Sequence, residues 1–150
     1  MFIKAFEAAN GPKAIGPYSP AVKLGDFVYV SGQLPINEEG NIDETIEEQT
    51  HACLKNMTNL LKAQNLELRH VVKTTVFMTD LSEFARFNEI YAQYFSQPYP
   101  ARSCVQVAAL PKGAKVEIEA LVIDTLVYEA QMKNRCNGCG QDSNSCSGCK

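Results

Sequence analysis

The spacing of hydrophobic residues along the chain separates strands from helices. Residues 26–34 alternate in polarity and are rich in β-branched and aromatic side chains, which predicts a strand. From Thr45 the apolar residues recur at helical spacing. Thr45 with Glu48 fits a capping box at the helix start, and Asn65 fits a left-handed stop after its end. Residues 71–79 predict another strand. Residues 80–95 predict a second helix with an aromatic stripe and a capping pair at its start.

Shorter segments complete the order of elements. Residues 4–7 and 21–24 predict two strands at the start of the chain. Residues 97–100 (QPYP) cannot continue a helix, because each proline lacks the backbone N–H donor. Residues 102–110 and 115–127 alternate in polarity and predict the last two strands. The resulting order, β-β-β-α-β-α-β-β, predicts an α+β fold with two helices packed on one face of a mixed sheet.

The last predicted strand is apolar on both faces. If Val116 and Ile118 contact the helices, then Leu121 and Ile123 point away from them. An apolar sheet face of this kind has to be covered, and another copy of the same chain is the simplest cover. The pattern therefore predicts a closed homo-oligomer.

Composition narrows the class of protein. With 150 residues, 45% of them hydrophobic, we expect one domain over residues 1–130 and a short tail over residues 131–150. The net charge of −3 argues against nucleic acid as a partner, because phosphate binding needs a basic surface. The sequence contains no signal-peptide pattern and no apolar run long enough to span a membrane, so we expect a cytoplasmic protein without a membrane partner.

The tail carries a doubled C-x-x-C motif. Cys136 and Cys139 form the first pair, and Cys146 and Cys149 form the second pair after a spacer of six residues. Four thiolates could hold zinc or iron. The spacer is shorter than in most zinc sites, however, so free or mutually oxidised cysteines are the alternative.

The strongest candidates for chemistry lie on the last two strands. Arg102 follows the stiff segment 98–100, and a guanidinium on a rigid element is suited to bidentate binding of a carboxylate. Alternatively, Arg102 is a surface or interface arginine that forms an ion pair with Glu117 or Glu119. Glu117 and Glu119 share one strand face, so either one of them is a general base that positions water or both belong to an interface salt-bridge network.

Four other residues have weaker signals. Asn88 faces inward with the aromatic stripe, where it either braces a loop or touches a ligand. Cys104 shares a strand face with Arg102; its backbone amide could meet a ligand, and a nucleophilic thiol is the alternative. His51 and His70 have no local partner for a catalytic triad, which indicates solvated or structural roles. The glycine-rich segments match no nucleotide-binding motif, so we expect no nucleotide cofactor.

Six segments in one register, from about Ile3 to Val127, carry a family resemblance. They are Gly16-Pro17-Tyr18-Ser19, Val30-Ser31-Gly32-Gln33, Lys73-Thr74-Thr75-Val76-Phe77, Asn88-Glu89-Ile90-Tyr91, Pro100-Ala101-Arg102-Ser103 and Val116-Glu117-Ile118-Glu119-Ala120. Together they resemble the RidA family, also called the YjgF/YER057c/UK114 family. The resemblance implies a chorismate-mutase-like fold and a homotrimer with sites in clefts between neighbouring subunits.

The resemblance also implies an activity, that of a 2-iminobutanoate/2-iminopropanoate deaminase. Its substrates would be 2-aminoacrylate, 2-aminocrotonate and their 2-imino acid tautomers, which are released by pyridoxal-phosphate enzymes. Hydrolysis would give pyruvate or 2-oxobutyrate and ammonia, and would protect pyridoxal-phosphate enzymes from the reactive intermediates. No metal or organic cofactor would be required.

The resemblance assigns roles to individual residues. Arg102 would bind the substrate carboxylate, Glu117 would orient and activate water from the adjoining strand, and the Cys104 backbone would hold the substrate. The cleft would be completed by Tyr18, Ser31, Gly32 and Asn88. Pro20, where the family has a polar residue, and the cysteine tail depart from the family pattern.

Two other function classes remain open from the sequence. Some members of the family have been described as endoribonucleases or translation inhibitors. A third possibility is a trimer that binds small carboxylates without turnover, in which Arg102 would matter and Glu117 would not.

Overall fold

A computed structural model of the chain describes residues 2–9 and 11–138, with side chains described up to residue 133. The described residues form six strands and three α-helices. The strands are β1 (Ile3–Phe6), β2 (Ala21–Leu24), β3 (Phe27–Gln33), β4 (Val71–Met78), β5 (Ala101–Gln106) and β6 (Val116–Ile123). The helices are α1 (Ile46–Lys62), α2 (Phe84–Tyr91) and α3 (Leu126–Gly138).

The six strands form one mixed sheet in the order β1-β2-β3-β6-β4-β5. All neighbouring strands are antiparallel except β4 and β5, which are parallel. A parallel pair needs a crossover connection, and α2 provides it between β4 and β5. The predicted α+β fold with a mixed sheet is thereby confirmed.

Helix α1 begins and ends as its sequence predicts. The Thr45 hydroxyl accepts a hydrogen bond from the Glu48 N–H at 3.2 Å, and the Glu48 carboxylate accepts one from the Thr45 N–H at 3.3 Å. After the helix, Asn65 adopts a left-handed conformation with a φ of 58°, which reverses the chain. The buried side of α1 packs against β3, β6 and α2.

The core lies on one face of the sheet, here called the helix face. Along β6, Val116, Ile118 and Val122 are fully buried on this face. Leu121 and Ile123 lie on the opposite face, here called the open face, where they are only half-buried. The alternation predicted from the sequence is confirmed, and the open face has no helix over it in the described part of the chain.

The second helix starts later than predicted. Residues 81–83 form a single 3-10 turn, and α2 begins at Phe84. The predicted capping pair is wrong in part: the Asp80 carboxylate accepts from the Ser82 N–H at 2.8 Å, whereas the Glu83 carboxylate pairs with Lys115 at 3.3 Å. Asp80 therefore caps the 3-10 turn.

The end of the domain also differs from its prediction. The strand expected over residues 115–127 stops at Ile123, because the Asp124 carboxylate accepts from the Leu126 N–H at 3.1 Å and starts α3. Helix α3 is held by Glu129, which binds the Arg69 guanidinium through both oxygens at 2.8 and 2.9 Å. It runs across the boundary expected at residues 130/131. Among the described residues, no helix has the length and apolar character needed to cross a membrane.

Candidate active site

The residues predicted to form the site lie on two different faces of the sheet. Arg102 of β5 pairs in register with Thr74 of β4, whose side chain is buried on the helix face. Glu117 of β6 pairs in register with Phe77, which points to the open face. Strand β4 lies between them, so one chain does not bring Arg102 and Glu117 together.

The helix face carries what we call the arginine half-site, formed by Arg102, Asn88 and Cys104. Within the described part of the chain, Arg102 forms no salt bridge, so it is not paired with Glu117 or Glu119 of the same chain. Its guanidinium instead lies over aromatic rings of α2. The N–H donors of Arg102 are therefore available to a ligand.

Asn88 lies on α2, whose rings contact Arg102, and Cys104 lies on the same face of β5 as Arg102. Asn88 is half-buried on α2, one turn from Phe84 and Tyr91, and its side-chain amide makes no hydrogen bond to the described residues. Cys104 is half-buried, and burial raises the pKa of its thiol, although the nearby Arg102 charge acts in the opposite direction. A raised pKa keeps the thiol protonated, which disfavours the alternative of a nucleophilic cysteine.

The open face carries what we call the glutamate half-site, formed by Tyr18, Ser31, Gly32 and Glu117. Gly32 lies where the register between β3 and β6 shifts, and the Glu117 carboxylate rests directly against it. A Cβ atom at position 32 would lie 1.8 Å from Glu117 Oε1. The glycine therefore provides the space that the carboxylate occupies.

The surroundings of Glu117 raise the pKa of its carboxyl group. Burial, and then repulsion from the Glu119 carboxylate on the same strand face, raise the pKa of Glu117 above its ordinary value. Neither glutamate forms a salt bridge within the described residues, and Lys115 pairs with Glu83 instead. An unpaired, half-buried carboxylate with a raised pKa is suited to accept a proton near neutral pH.

A cavity of about 450 Å³ opens beside the glutamate half-site. Its lining includes Tyr18 and Ser31, together with Lys73 and Glu119. The Ser31 hydroxyl donates to the Ser19 carbonyl at 2.7 Å, which fixes the Tyr18 loop against β3. A larger cavity, about 1040 Å³, lies beside α1 and contains none of the predicted site residues.

The two histidines have structural partners, in agreement with their predicted roles. His51 Nδ1 lies 2.9 Å from the Tyr94 hydroxyl. His70 is buried; its Nδ1 accepts from the Glu67 N–H at 3.0 Å, and its Nε2 lies 3.3 Å from Glu129 Oε1. Neither histidine belongs to a half-site.

The candidate metal ligands of the tail cannot be placed. Cys139, Cys146 and Cys149 lie outside the described residues, and only the backbone of Cys136 is described. Within the described part, no three His, Cys, Asp or Glu side chains cluster as metal ligands would.

A feature that sequence reasoning missed is the contact between Arg102 and α2. The aromatic spacing of α2 was its only signal, and that spacing is equally typical of core packing.

Comparison with known proteins identifies the family. A family model described as Endoribonuclease L-PSP matches residues 8–124. The RutC family protein y4sK of Sinorhizobium fredii is 50% identical, over 80% of this chain and 97% of that protein. Reactive Intermediate Deaminase A, chloroplastic, of Arabidopsis thaliana is 51% identical over 75% of this chain and 61% of that protein. The structure of E. coli TdcF with bound serine is 44% identical with a TM-score of 0.76, over 80% of this chain and 98% of that one. The chain therefore belongs to the RidA family, to which the six sequence segments had pointed.

Proposed function

We propose that this protein hydrolyses reactive 2-imino acids and their enamine tautomers to 2-oxo acids and ammonia, in clefts between the subunits of a homotrimer. One observation carries the proposal: a free guanidinium and an unpaired carboxylate lie on opposite faces of the same sheet. The name of the Arabidopsis relative, a reactive intermediate deaminase, supports the reaction class.

The open face supports the assembly. Leu24, Phe27 and Tyr29 are about half exposed there, and apolar surface of this kind favours burial by another subunit. In a cyclic trimer each interface joins two different surfaces of the chain. Such an interface would bring the arginine half-site of one subunit to the glutamate half-site of its neighbour, and would form three equivalent clefts.

The proposed chemistry uses side chains alone. The enamine first tautomerises to the imine, and Arg102 binds the substrate carboxylate through two parallel hydrogen bonds. The neighbouring subunit's Glu117 accepts a proton from water as the water oxygen attacks C2 of the imine. Glu117 returns that proton to the nitrogen to give the neutral carbinolamine. It then transfers the hydroxyl proton to the same nitrogen as the C–N bond breaks, so that ammonia leaves and a 2-oxo acid remains. Substrates of this class would be 2-aminoacrylate and 2-aminocrotonate, and the products pyruvate and 2-oxobutyrate.

The remaining residues of the two half-sites would surround the substrate. The Cys104 backbone would lie beside the carboxylate, and Asn88, with its free side-chain amide, would offer a hydrogen bond from α2. Tyr18 and Ser31 would close the cleft from the neighbouring subunit, where they line the open-face cavity. Positioning of this kind lowers the entropic cost of bringing water and the imine carbon together. No metal or organic cofactor takes part.

Pyruvate formation tests the proposal directly. A serine dehydratase generates 2-aminoacrylate, and pyruvate release is followed with wild type, Arg102→Ala and Glu117→Ala. We expect each variant to lower the rate by about 100-fold or more, because Glu117→Ala removes a positioned general base and Arg102→Ala removes the group that positions the substrate. Arg86→Ala and Glu129→Ala are matched controls, because both lie outside the half-sites. Wild-type protein no faster than buffer would contradict the proposal.

Two other outcomes would assign a different function. The family model is described as an endoribonuclease, so RNA cleavage that is lost in Arg102→Ala, without imine hydrolysis, would replace the deaminase. The net charge of −3 weighs against this outcome. The TdcF structure holds serine, so binding of a small carboxylate that needs Arg102 but not Glu117, without turnover, would indicate a binding protein.

Metal analysis tests the cysteine tail separately. Stoichiometric zinc or iron in protein purified without oxygen would assign a thiolate centre to Cys136, Cys139, Cys146 and Cys149. Its absence would assign free or mutually oxidised cysteines. Neither result alters the proposed reaction.

A further inference from the structure

Helix α2 presents three aromatic rings to the guanidinium of Arg102. Arg102 Cζ lies 4.7 Å from the ring centroid of Tyr91, 5.4 Å from that of Phe84 and 5.7 Å from that of Phe87. Each distance is within the range of about 6 Å over which a cation is attracted to an aromatic face. We call these three rings the aromatic shelf.

Contacts with β4 and with other aromatic rings hold the aromatic shelf in place. The Tyr91 hydroxyl is hydrogen bonded to the buried Thr74 hydroxyl of β4 at 2.8 Å. The Phe87 ring is fully buried, 5.5 Å from that of Tyr91, and the Phe95 ring lies 4.5 Å from Tyr91 on its other flank. Rings fixed on several sides can hold a guanidinium plane in one place at little entropic cost.

The contacts of Arg102 differ from those of the other described arginines. Arg69 and Arg86 each bind a carboxylate through two nitrogens, at distances of 2.5 to 2.9 Å. Arg102 has only the ring contacts in the described part of the chain. A guanidinium that contacts only aromatic rings keeps its five N–H donors free for a ligand. Its N–H donors therefore have no protein acceptor among the described residues.

We propose that the aromatic shelf orients the Arg102 guanidinium for bidentate binding of a carboxylate, and that Tyr91 is the main positioning residue because its ring is nearest. The identity of the substrate rests on the proposed function, whereas the carboxylate-binding geometry does not. Lysine could not replace Arg102, since a point charge has no planar fork.

The affinity for 2-oxobutanoate, measured by titration calorimetry, tests the role of the shelf. We expect Tyr91→Leu to weaken binding by about 3- to 30-fold, the range of a cation–π contact. Tyr91→Phe keeps the ring and should bind within about 2-fold of wild type, since it loses only the hydrogen bond to Thr74 on the side away from the ligand. Neutral 2-oxobutanamide, which lacks the carboxylate, should not distinguish the variants.

Two further measurements distinguish a loss of Arg102 orientation from a general structural defect in the Tyr91→Leu variant. In turnover, Tyr91→Leu should raise KM and leave kcat unchanged, and it should have no further effect on kcat/KM when Arg102→Ala is already present. If Tyr91→Leu does not fold, Phe84→Leu carries the same test, because that ring is half-buried.

The outcomes distinguish this inference from the proposed function. Shelf-dependent binding of 2-oxobutanoate without imine hydrolysis would support the shelf and contradict the deaminase. A folded Tyr91→Leu variant that binds as tightly as wild type, or a wild type that does not bind 2-oxobutanoate, would overturn the shelf whatever the turnover.

Discussion

Gly32 controls the position of a candidate catalytic group although it has no side chain of its own. Glu117 Oε1 and Cγ would lie 1.8 and 2.9 Å from a Cβ atom at position 32, and both distances are too short for real contacts. The Glu117 carboxylate can therefore occupy its position only because Gly32 on the neighbouring strand has no Cβ atom. Sequence reasoning found Gly32 only through the family resemblance, because the contact depends on the pairing of β3 with β6.

We expect Gly32→Ala to lower kcat by about 100-fold, as loss of a positioned general base does, because the methyl group displaces the Glu117 carboxylate. The pyruvate assay measures the effect, and the thermal midpoint checks folding. Gly25→Ala is the matched control: its φ of 59° strains an alanine, yet nothing lies within 4 Å of the added Cβ. Full activity in Gly32→Ala would show that Glu117 is not held where its role requires.

The pair Glu117 and Glu119 makes a separate prediction about pH. Activity that needs the Glu117 carboxylate ionised falls as the pH drops through its pKa, which burial and the Glu119 charge both raise. Glu119→Gln removes the second cause, so the pKa of Glu117 falls and the acidic limb of the kcat/KM profile moves to lower pH. A limb that stays in place, or moves to higher pH, would contradict Glu117 as the base.

At the scale of elements, helix α3 shows how a contact distant in sequence decides local structure. The apolar alternation of β6 continues past Ile123 in the sequence. Val127, Tyr128 and Met132 of α3 are exposed, so the helix has no buried apolar stripe from which it could be predicted. Arg69, 60 residues away, holds Glu129 and so fixes α3. By contrast, the Thr45 cap and the left-handed Asn65 depend on nearby residues, and both were predicted correctly.

The docking of α3 should depend on pH. The hydrogen bonds from Arg69 and then from Thr125 lower the pKa of Glu129 to about 2. A carboxylate with a lowered folded-state pKa contributes stability above its ordinary value of 4.5, and this contribution is lost as the pH falls towards 2. We expect wild type to have a higher free energy of unfolding than Glu129→Gln at neutral pH. This difference should vanish as the pH falls to about 2. A difference independent of pH would contradict this account of α3.

Strand order also determined how much of the site could be predicted. That Arg102 and Cys104 share a face follows from alternation along one strand, and the structure agrees. Glu117 was expected on the strand adjoining that of Arg102, and this expectation was wrong because β4 lies between β5 and β6. Alternation along one strand predicts which of its side chains share a face. Whether side chains of two strands lie close together depends on the strand order of the sheet, which local patterns do not give.

At the scale of the whole molecule, the described chain presents two incomplete sites. The arginine half-site offers N–H donors, and the glutamate half-site offers the Glu117 carboxylate, with Tyr18 and Ser31 of the same half-site lining a cavity of about 450 Å³. The proposed cyclic trimer would pair these unlike surfaces and so complete three sites from three identical chains. The central claim is therefore that Arg102 and Glu117 act from different subunits.

Mixed trimers test this claim most directly. Arg102→Ala and Glu117→Ala, each expected to be nearly inactive alone, are unfolded and refolded together in equal amounts so that the subunits mix. If each site takes Arg102 from one chain and Glu117 from the next, a random mixture should recover about a quarter of wild-type activity, because each cleft needs one ordered pair of neighbours. The pyruvate assay measures the recovery, with each variant refolded alone as the control. A mixture as inactive as its two components would contradict a site shared between subunits.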